Sequence, residues 1–206
     1  ISVACTNDCT RVVTGGVDGR VRMWGMKNQD MIASLKEHKA TITSIVVREG
    51  DEECVSASDD GSCMVWDLRR YTRNQAMFAS TLFRGILYHP DESQLLTCGS
   101  DRKLSYWDAY DGSAIRVIEG SNQEINSIDI TKPDGQVFVS AGNDKTVRVW
   151  DYDDGICHYI GEGHSGNINK VAIAPGNDTV VSVGSEGAIF IWGLAKPPTT
   201  EGKNDA

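Results

Sequence analysis

The sequence predicts an all-β protein built from repeated antiparallel sheets, and three observations support this. The five Trp residues of the 206-residue chain recur every 41 to 43 residues. Each Trp closes a short apolar segment that follows an acidic turn, and a Ser or Thr stands ten residues before it. A period of this length with such an ending is typical of a β-propeller blade of four antiparallel strands.

The clearest unit is the stretch from Ser56 to Asp67, which reads SASDDGSCMVWD. It predicts a hairpin whose first strand ends at the Asp59-Asp60-Gly61 cluster and whose second strand carries Trp66. Gly61 supplies the positive φ that tight hairpin turns favour. The other four Trp residues end variants of the same hairpin.

Polar residues keep a fixed distance from each Trp. A carboxylate stands six residues before it, and a hydroxyl four residues before the carboxylate. In the second and fifth units a His precedes the hydroxyl by 18 residues. The five sets are Thr14, Asp18 and Trp24; His38, Ser56, Asp60 and Trp66; Thr97, Asp101 and Trp107; Ser140, Asp144 and Trp150; and His164, Ser182, Glu186 and Trp192.

These sets and the Trp-Asp endings at Asp67, Asp108 and Asp151 resemble the WD40 family. The resemblance implies a tetrad in which the carboxylate accepts from the imidazole, the imidazole bonds the hydroxyl and the hydroxyl meets the indole N–H. We expect complete tetrads in the second and fifth blades. The third and fourth blades lack the His, so their tetrads are expected to be incomplete.

Each unit is expected to contribute strands in order from the centre of the ring outwards. The first blade is predicted at 1–5, 11–15, 20–24 and 31–35, and the second at 43–47, 54–58, 63–67 and 75–81, its last strand following a long connection. The third is predicted at 84–88, 95–98, 103–107 and 114–118, the fourth at 125–130, 137–141, 146–151 and 156–160, and the fifth at 168–173, 179–183 and 188–192.

Only four of the five units carry a fourth strand, so we expect an incomplete ring. The blades are predicted to occupy residues 1–195, and the polar, proline-containing residues 196–206 to form a disordered tail. WD40 rings most often have seven blades, which predicts that two more precede Ile1. The outer surfaces of the first and last blades would then be exposed and prone to association.

Composition excludes several classes of function. The net charge of -9 argues against a nucleic-acid partner. No apolar run approaches the roughly 20 residues that span a bilayer, so no membrane partner is expected. The six Cys residues form no CxxC pair, which indicates reduced thiols in a cytoplasmic chain. No metal, cofactor or small-molecule substrate is predicted.

A Ser, His and Asp set also invites comparison with nucleophilic enzymes. Here the set recurs from blade to blade, whereas an active site is built once from unlike parts. The sequence also has no phosphate-binding loop, nucleophile elbow or cofactor fingerprint. We therefore interpret the tetrads as structural and the protein as a non-enzyme.

Several longer phrases are more specific than the repeated motifs. They are KEHKATI, DEECVSASDDGSCMVWDLRRY, SDRKLSYWDAYDGSAIR, GNDKTVRVWDYDDG and GHSGNINKVAIAPGNDTVVSVGSEGAIFIW. These phrases resemble the second propeller of a ciliary family of WD40 proteins with two propellers. The resemblance implies a structural protein of motile cilia and flagella that lies inside axonemal doublet microtubules and binds tubulin and other inner proteins. The alternative is a general cytoplasmic WD40 adaptor, such as a ubiquitin-ligase substrate receptor.

Two surfaces are candidates for partner binding. The first is the connection after Trp66, where Arg69, Arg70 and Arg73 surround Tyr71. Arg binds carboxylates in a bidentate way and Tyr adds apolar contact area, although an ordinary solvated loop is the alternative interpretation. The weaker candidate is the loop after His38, with Lys39 and Thr41.

Overall fold

The computed structural model describes residues 2–194, which form five antiparallel sheets and no helix. The sheets follow one another along the chain as five blades, four of them with four strands and the fifth with three. The all-β, five-blade prediction is confirmed. The strands are β1 Ser2–Cys5, β2 Arg11–Gly15, β3 Arg20–Gly25, β4 Met31–Lys36, β5 Ile42–Val47, β6 Glu53–Ser58, β7 Ser62–Asp67, β8 Thr72–Phe78, β9 Phe83–Tyr88, β10 Gln94–Gly99, β11 Lys103–Asp108, β12 Ala114–Glu119, β13 Ile125–Ile130, β14 Val137–Gly142, β15 Thr146–Asp151, β16 Cys157–Glu162, β17 Ile168–Ile173, β18 Thr179–Gly184 and β19 Ile189–Gly193.

The acidic residue of each repeat shapes the turn between the second and third strands. In the first four blades its carboxylate accepts a hydrogen bond from the backbone N–H two residues later, as Asp60 does from Ser62 at 2.9 Å. The residue directly after it has positive φ in all five blades, and Gly61 is the example at 80°. A Cβ on Gly61 would lie 2.8 Å from the Ala79 carbonyl oxygen. Glycine suits this turn in both conformation and close packing, although non-glycine residues hold the same positive φ in the third and fourth blades.

Packing between blades supplies the core. Four apolar clusters lie between successive blades, and each contains the Trp of the later blade. Trp66, for example, packs with Val13, Val21 and Met23 of the first blade. Each blade thus presents a Trp-bearing face to the blade before it and an opposite face to the blade after it.

The interface between the third and fourth blades is the richest in aromatic rings. Phe138 is fully buried and stacks on Trp150 at 5.9 Å between ring centroids. Tyr106 meets Phe138 edge to face, and Tyr152 meets Tyr106 at 5.0 Å. Across the same interface, His89 of the third blade lies 4.4 Å from the Tyr152 ring. The core at this interface is dense, although the fourth blade lacks the tetrad His.

The described blades form an open arc. Val3 in the first blade is 65% exposed, and Ile189 and Ile191 in the fifth are 69% and 75% exposed. These side chains lie on the two terminal faces, so the first and fifth blades do not cover each other. The incomplete ring and the seven-bladed ring both stay predictions. The predicted tail at 196–206 lies outside the described residues.

One prediction for the second blade is wrong. The connection after Trp66 is not long, because β8 begins at Thr72 and not at Gln75. Only residues 68–71 form the turn, and the Tyr71 N–H donates to the Asp67 carbonyl as Gly112 does to Asp108 and Gly155 to Asp151. Tyr71 holds the positive φ that Gly112 and Gly155 hold in their blades. The sequence does not indicate this turn, because a Tyr flanked by Arg residues stands where the other blades have glycine.

We predict that Phe138→Ala lowers the free energy of unfolding by about 3–5 kcal/mol, because it opens a cavity among buried rings. Phe78→Ala is the matched control, since Phe78 is 69% exposed; it should cost less than about 1 kcal/mol. Urea unfolding followed by far-UV circular dichroism measures both. Equal losses in the two variants would show that the interface between the third and fourth blades is not a main source of stability.

Candidate functional site: blade tetrads and partner-binding surfaces

The second blade contains a connected tetrad. The Trp66 indole Nε1–H donates to Ser56 Oγ at 2.8 Å, and Ser56 Oγ lies 2.7 Å from His38 Nε2. His38 Nδ1 lies 3.2 Å from Asp60 Oδ2 and 2.9 Å from Ser62 Oγ. A neutral imidazole with its proton on Nδ1 satisfies this chain, since it accepts from the hydroxyl and donates to the carboxylate. These are the contacts that the sequence predicts, with Ser62 as an addition.

Asp60 ties the loop after His38 to the hairpin turn. Its Oδ2 accepts from the Lys39 N–H at 2.7 Å, and its Oδ1 accepts from the Ser62 hydroxyl at 2.5 Å. Burial by itself raises the pKa of Asp60, but the hydrogen bonds from Ser62 and Lys39 outweigh it and hold this pKa below its ordinary value. The carboxylate therefore stays charged at neutral pH and anchors both loops.

His38 is almost completely buried, and burial lowers the pKa of its imidazole despite the opposing attraction of Asp60. The neutral form is therefore the native form at pH 7. Because the unfolded chain binds a proton more readily than the folded chain, this group stabilises the fold above about pH 6.5 and loses that contribution as pH falls.

The fifth blade repeats the arrangement with a longer acid. Trp192 Nε1–H donates to Ser182 Oγ at 2.8 Å, and Ser182 Oγ lies 2.7 Å from His164 Nε2. Glu186 bonds His164 Nδ1, and this hydrogen bond holds the pKa of Glu186 below its ordinary value. The extra methylene of Glu is thus accommodated in the same network.

The remaining blades keep the hydrogen bond from the indole to the hydroxyl, but the acidic residue has other partners. Trp24 donates to Thr14, Trp107 to Thr97 and Trp150 to Ser140, all at 2.8–2.9 Å. In the first and fourth blades an Arg two residues before the Trp pairs with the acid, as Arg148 does with Asp144 at 3.0 Å. Ser121 also donates to Asp144 at 2.7 Å. The third blade has neither substitute: among residues 2–194, the Asp101 carboxylate accepts only from the Lys103 N–H, at 3.3 Å.

A second set of inter-blade contacts lies at the opposite end of the strands and was not predicted. Asp51 in the second blade accepts from the backbone N–H groups of Asn7 and Asp8 in the first, at 2.6 and 2.9 Å. Glu92 in the third blade accepts likewise from Glu49 at 2.6 Å. The side-chain Oδ1 of Asn177 accepts from the Lys132 N–H at 3.3 Å. Their one shared signal is positive φ at a non-glycine loop residue, which a sequence does not display.

The carboxylates of the Trp-Asp endings have a local task. Asp67 Oδ1 accepts from the backbone N–H groups of Arg69 and Arg70, both at 2.7 Å. Asp108 accepts from Tyr110 and Asp111 in the same way. The Asp thus caps the turn that leads into the outer strand, as Asp side chains commonly do.

The two candidate binding surfaces lie at opposite ends of the blades. Lys39 and Thr41 follow β4, at the end where the tetrads lie, whereas Arg69, Arg70 and Tyr71 form the β7–β8 turn at the other end. Arg73 is not in this loop: it lies in β8, opposite Trp66, and its guanidinium pairs with Glu37 at 2.6 Å. The basic connection is therefore reduced to Arg69, Arg70 and Tyr71.

Neighbouring acids partly neutralise what remains of the basic surface. Arg69 pairs with Glu52 at 2.6 Å, and Arg70 lies 4.0 Å from Asp67. Both guanidinium groups are largely exposed and can exchange these partners for others. The surface can thus bind a carboxylate locally without carrying a strong field.

The inner strands surround a central pocket. Its volume is about 600 Å³, and its lining includes Ser44, Val46, Asp129 and Lys170. Within residues 2–194, no three His, Cys, Asp or Glu side chains are grouped to hold a metal ion. The same residues contain no helix that could cross a bilayer.

A family model described as WD domain, G-beta repeat matches residues 1–25, 29–67, 79–108, 112–151 and 155–193. The chain belongs to the WD40 family. This assignment covers all five blades and agrees with the five sheets of the fold.

Similar proteins share most of this WD40 chain. The pig protein named Cilia- and flagella-associated protein 52 (Sus scrofa) is 51% identical over 194 residues, which are 93% of this chain and 31% of that protein. The Homo sapiens protein of the same name is 49% identical over 93% of this chain and 31% of that protein. The Chlamydomonas reinhardtii protein of the same name is 48% identical over 86% of this chain and 29% of that protein. The chain spans about a third of the length of these relatives.

We predict that Trp66→Ala lowers the free energy of unfolding by about 3–5 kcal/mol. The variant removes a buried indole and leaves Ser56 without its donor. Trp24→Ala deletes the same side chain from a half-buried site on the first blade, and we expect less than half of that loss. Thermal unfolding of the two variants would contradict the tetrad account if Trp24→Ala were the more destabilised.

We predict that stability decreases as pH falls below about 6.5, because the unfolded chain then binds a proton at His38 that the buried site in the folded chain disfavours. His38→Gln should lower stability at neutral pH and flatten this dependence. His158→Gln, in the outer strand β16, is the control and should keep the pH dependence of the parent. Urea unfolding between about pH 7 and pH 5 measures it. An unchanged slope in His38→Gln would show that this imidazole does not carry the effect.

Proposed function

We propose that the chain belongs to a non-enzymatic WD40 scaffold of motile cilia and flagella, which resides in the axonemal cytoskeleton. The observation that carries the proposal is the 48–51% identity, over 86–93% of this chain, to proteins named for cilia and flagella in mammals and an alga. Identity at this level extends beyond the repeated Trp and tetrad positions of this chain.

The architecture supports a scaffold more than an enzyme. Ser56 and Ser182 are at most 1% exposed, and each hydroxyl is held between an indole and an imidazole. A nucleophile in such a position cannot reach a substrate in solvent. The exposed surface consists of turns, strand edges and blade faces, which are the features that proteins use to bind other proteins.

More specifically, we propose a microtubule inner protein that binds tubulin and other inner proteins of the doublet. Tubulin is acidic and this chain has a net charge of -9, so the overall field opposes binding. Attraction must be local, within the roughly 10 Å over which charges act at 0.1 M salt. Arg69 and Arg70 are the best candidates, with Tyr71 for apolar contact, and Lys39 and Thr41 are weaker ones. Retention would then depend on many weak contacts together.

The location is tested by imaging a tagged copy in cells with motile cilia. We expect signal along the axoneme shaft that persists after the membrane is removed with detergent. A signal confined to the cytoplasm would contradict the proposal and favour a general adaptor, such as a ubiquitin-ligase substrate receptor.

The binding surface is tested by charge reversal. We predict that Arg69→Glu with Arg70→Glu loosens the protein from salt-washed axonemes by on the order of fivefold per arginine, since an exposed charge contact contributes up to about 1 kcal/mol. Arg73→Glu is the control, because Arg73 lies in β8 and not in the turn. Lys39→Glu probes the opposite end. If the double variant is retained as tightly as the parent, the turn does not face tubulin.

A further inference from the structure

A groove opens between the second and third blades, at the end of the strands away from the tetrads. Its volume is about 630 Å³. Each of these two blades has a neighbouring blade on both faces, so the groove lies inside the arc and not at either end of it. Four carboxylates and one guanidinium line the groove, and they belong to Glu53, Asp91, Glu92, Asp108 and Arg48.

The two adjacent interfaces each place a guanidinium at the corresponding position. Between the third and fourth blades, Arg116 of β12 donates to the carbonyls of Tyr152 and Asp153, both at 2.5 Å. Between the first and second blades, Arg11 donates to the Leu68 carbonyl at 2.9 Å. Leu68 and Tyr152 both follow a Trp-Asp ending directly. In both interfaces, an arginine of the earlier blade therefore binds the turn that begins after the Trp-Asp pair of the later blade.

The interface between the second and third blades lacks this arginine. Gln75 stands where the next interface has Arg116, since each is the outer-strand partner of the residue before the Trp. Gln75 carries no charge and donates to the Tyr110 carbonyl at 2.7 Å. The Ala109 carbonyl, which corresponds to the Tyr152 carbonyl, accepts no hydrogen bond from residues 2–194. Ala109 is also much smaller than Tyr152, and the difference in size contributes to the open groove.

Two carboxylates of the groove have an oxygen to spare. Asp91 Oδ1 accepts from the Ser93 N–H and hydroxyl, at 2.9 and 2.7 Å. Asp108 Oδ1 accepts from two backbone N–H groups of its own turn. In the described part of the chain, neither Oδ2 accepts a hydrogen bond. Burial raises the pKa of Asp91, but hydrogen bonds from Ser93 and His89 outweigh it and hold this pKa below its ordinary value.

The one cation of the groove is already paired. Arg48 bonds Glu53 and Glu92, each at 2.9 Å. The groove therefore keeps a net negative charge, which comes from the two aspartates. Tyr110 also lines the groove, and its side chain is 93% exposed. Carboxylates and an exposed aromatic ring side by side attract a cation, and the guanidinium group suits both because it is planar.

We propose that this groove binds a basic segment of a partner protein, and that one arginine of the segment takes the place that Arg116 takes in the next interface. Its guanidinium would donate to the Ala109 carbonyl and to the spare oxygens of Asp91 and Asp108. The plane of the same group would lie against the Tyr110 ring. The charge of the groove selects a basic partner, and this binding does not depend on an axonemal location.

Titration with an arginine peptide, followed by NMR, tests the groove. The probe is the pentapeptide Ala-Gly-Arg-Gly-Ala with both ends blocked, added to the ¹⁵N-labelled chain up to about 20 mM, since one side chain binds weakly. We expect saturable shifts of the backbone amides of Ala109 and Tyr110. The same peptide with citrulline, which has the shape of arginine without its charge, should bind about fivefold more weakly.

Variants of the groove locate the binding. Asp91→Asn and Tyr110→Ala change largely exposed side chains, and each should weaken binding about two- to fivefold. Gln75→Arg should remove the saturable shifts, because its own guanidinium then occupies the groove. Asp154→Asn, in the corresponding turn of the fourth blade, and Tyr159→Ala, in β16, are the matched controls and should bind like the parent. Circular dichroism confirms that each variant is folded.

Any of four outcomes would overturn the proposal. Without saturable shifts at these amides in the parent, the groove does not hold a guanidinium. Equal binding of the citrulline peptide would show that charge is not recognised. Unchanged binding in Gln75→Arg would place the peptide elsewhere. An equal loss in Asp154→Asn and Asp91→Asn would show that the peptide responds to the acidic field of this end of the strands and not to the groove.

Discussion

The structure depends on covering both faces of each four-stranded sheet. A sheet of this size has apolar side chains on both sides and gains stability from each neighbour that covers a face. Four interfaces cover the second, third and fourth blades on both faces, and each interface places a Trp of one blade against apolar side chains of the blade before it. The buried area, rather than any single hydrogen bond, accounts for most of the stability.

Polar contacts then fix the spacing between blades at both ends of the strands. At one end, Asp60 and Glu186 tie a loop from the preceding blade to the hairpin turn through a buried His. At the other end, Asp51 and Glu92 cap backbone N–H groups of the preceding blade. A partner that binds across two blades therefore meets surfaces held in a fixed relation. Such rigidity suits a scaffold, because preorganised surfaces lose little entropy on binding.

The sequence predicts most of this architecture because its signals are local and repeated. The Trp period gives the blade count, and the spacing of acid, hydroxyl and Trp gives the tetrads. It fails where structure depends on a rare backbone conformation. Tyr71 in a left-handed turn made a short connection resemble a long one, and Arg73 was consequently placed in a loop. The loop contacts of Asp51 and Glu92 were not predicted for the same reason, because the sequence does not indicate positive φ at a residue other than glycine.

The central claim is that coverage of both faces of a blade supplies its stability. Hydrogen–deuterium exchange measured by mass spectrometry tests this most directly, at a dilution where the chain is monomeric. The account predicts slow exchange in the middle strands of the second, third and fourth blades, such as β6, β10 and β14. It predicts faster exchange in β2 and β18, whose blades are covered on one side. Equal protection in all five blades would contradict it, because stability would then arise within each sheet and not between neighbours.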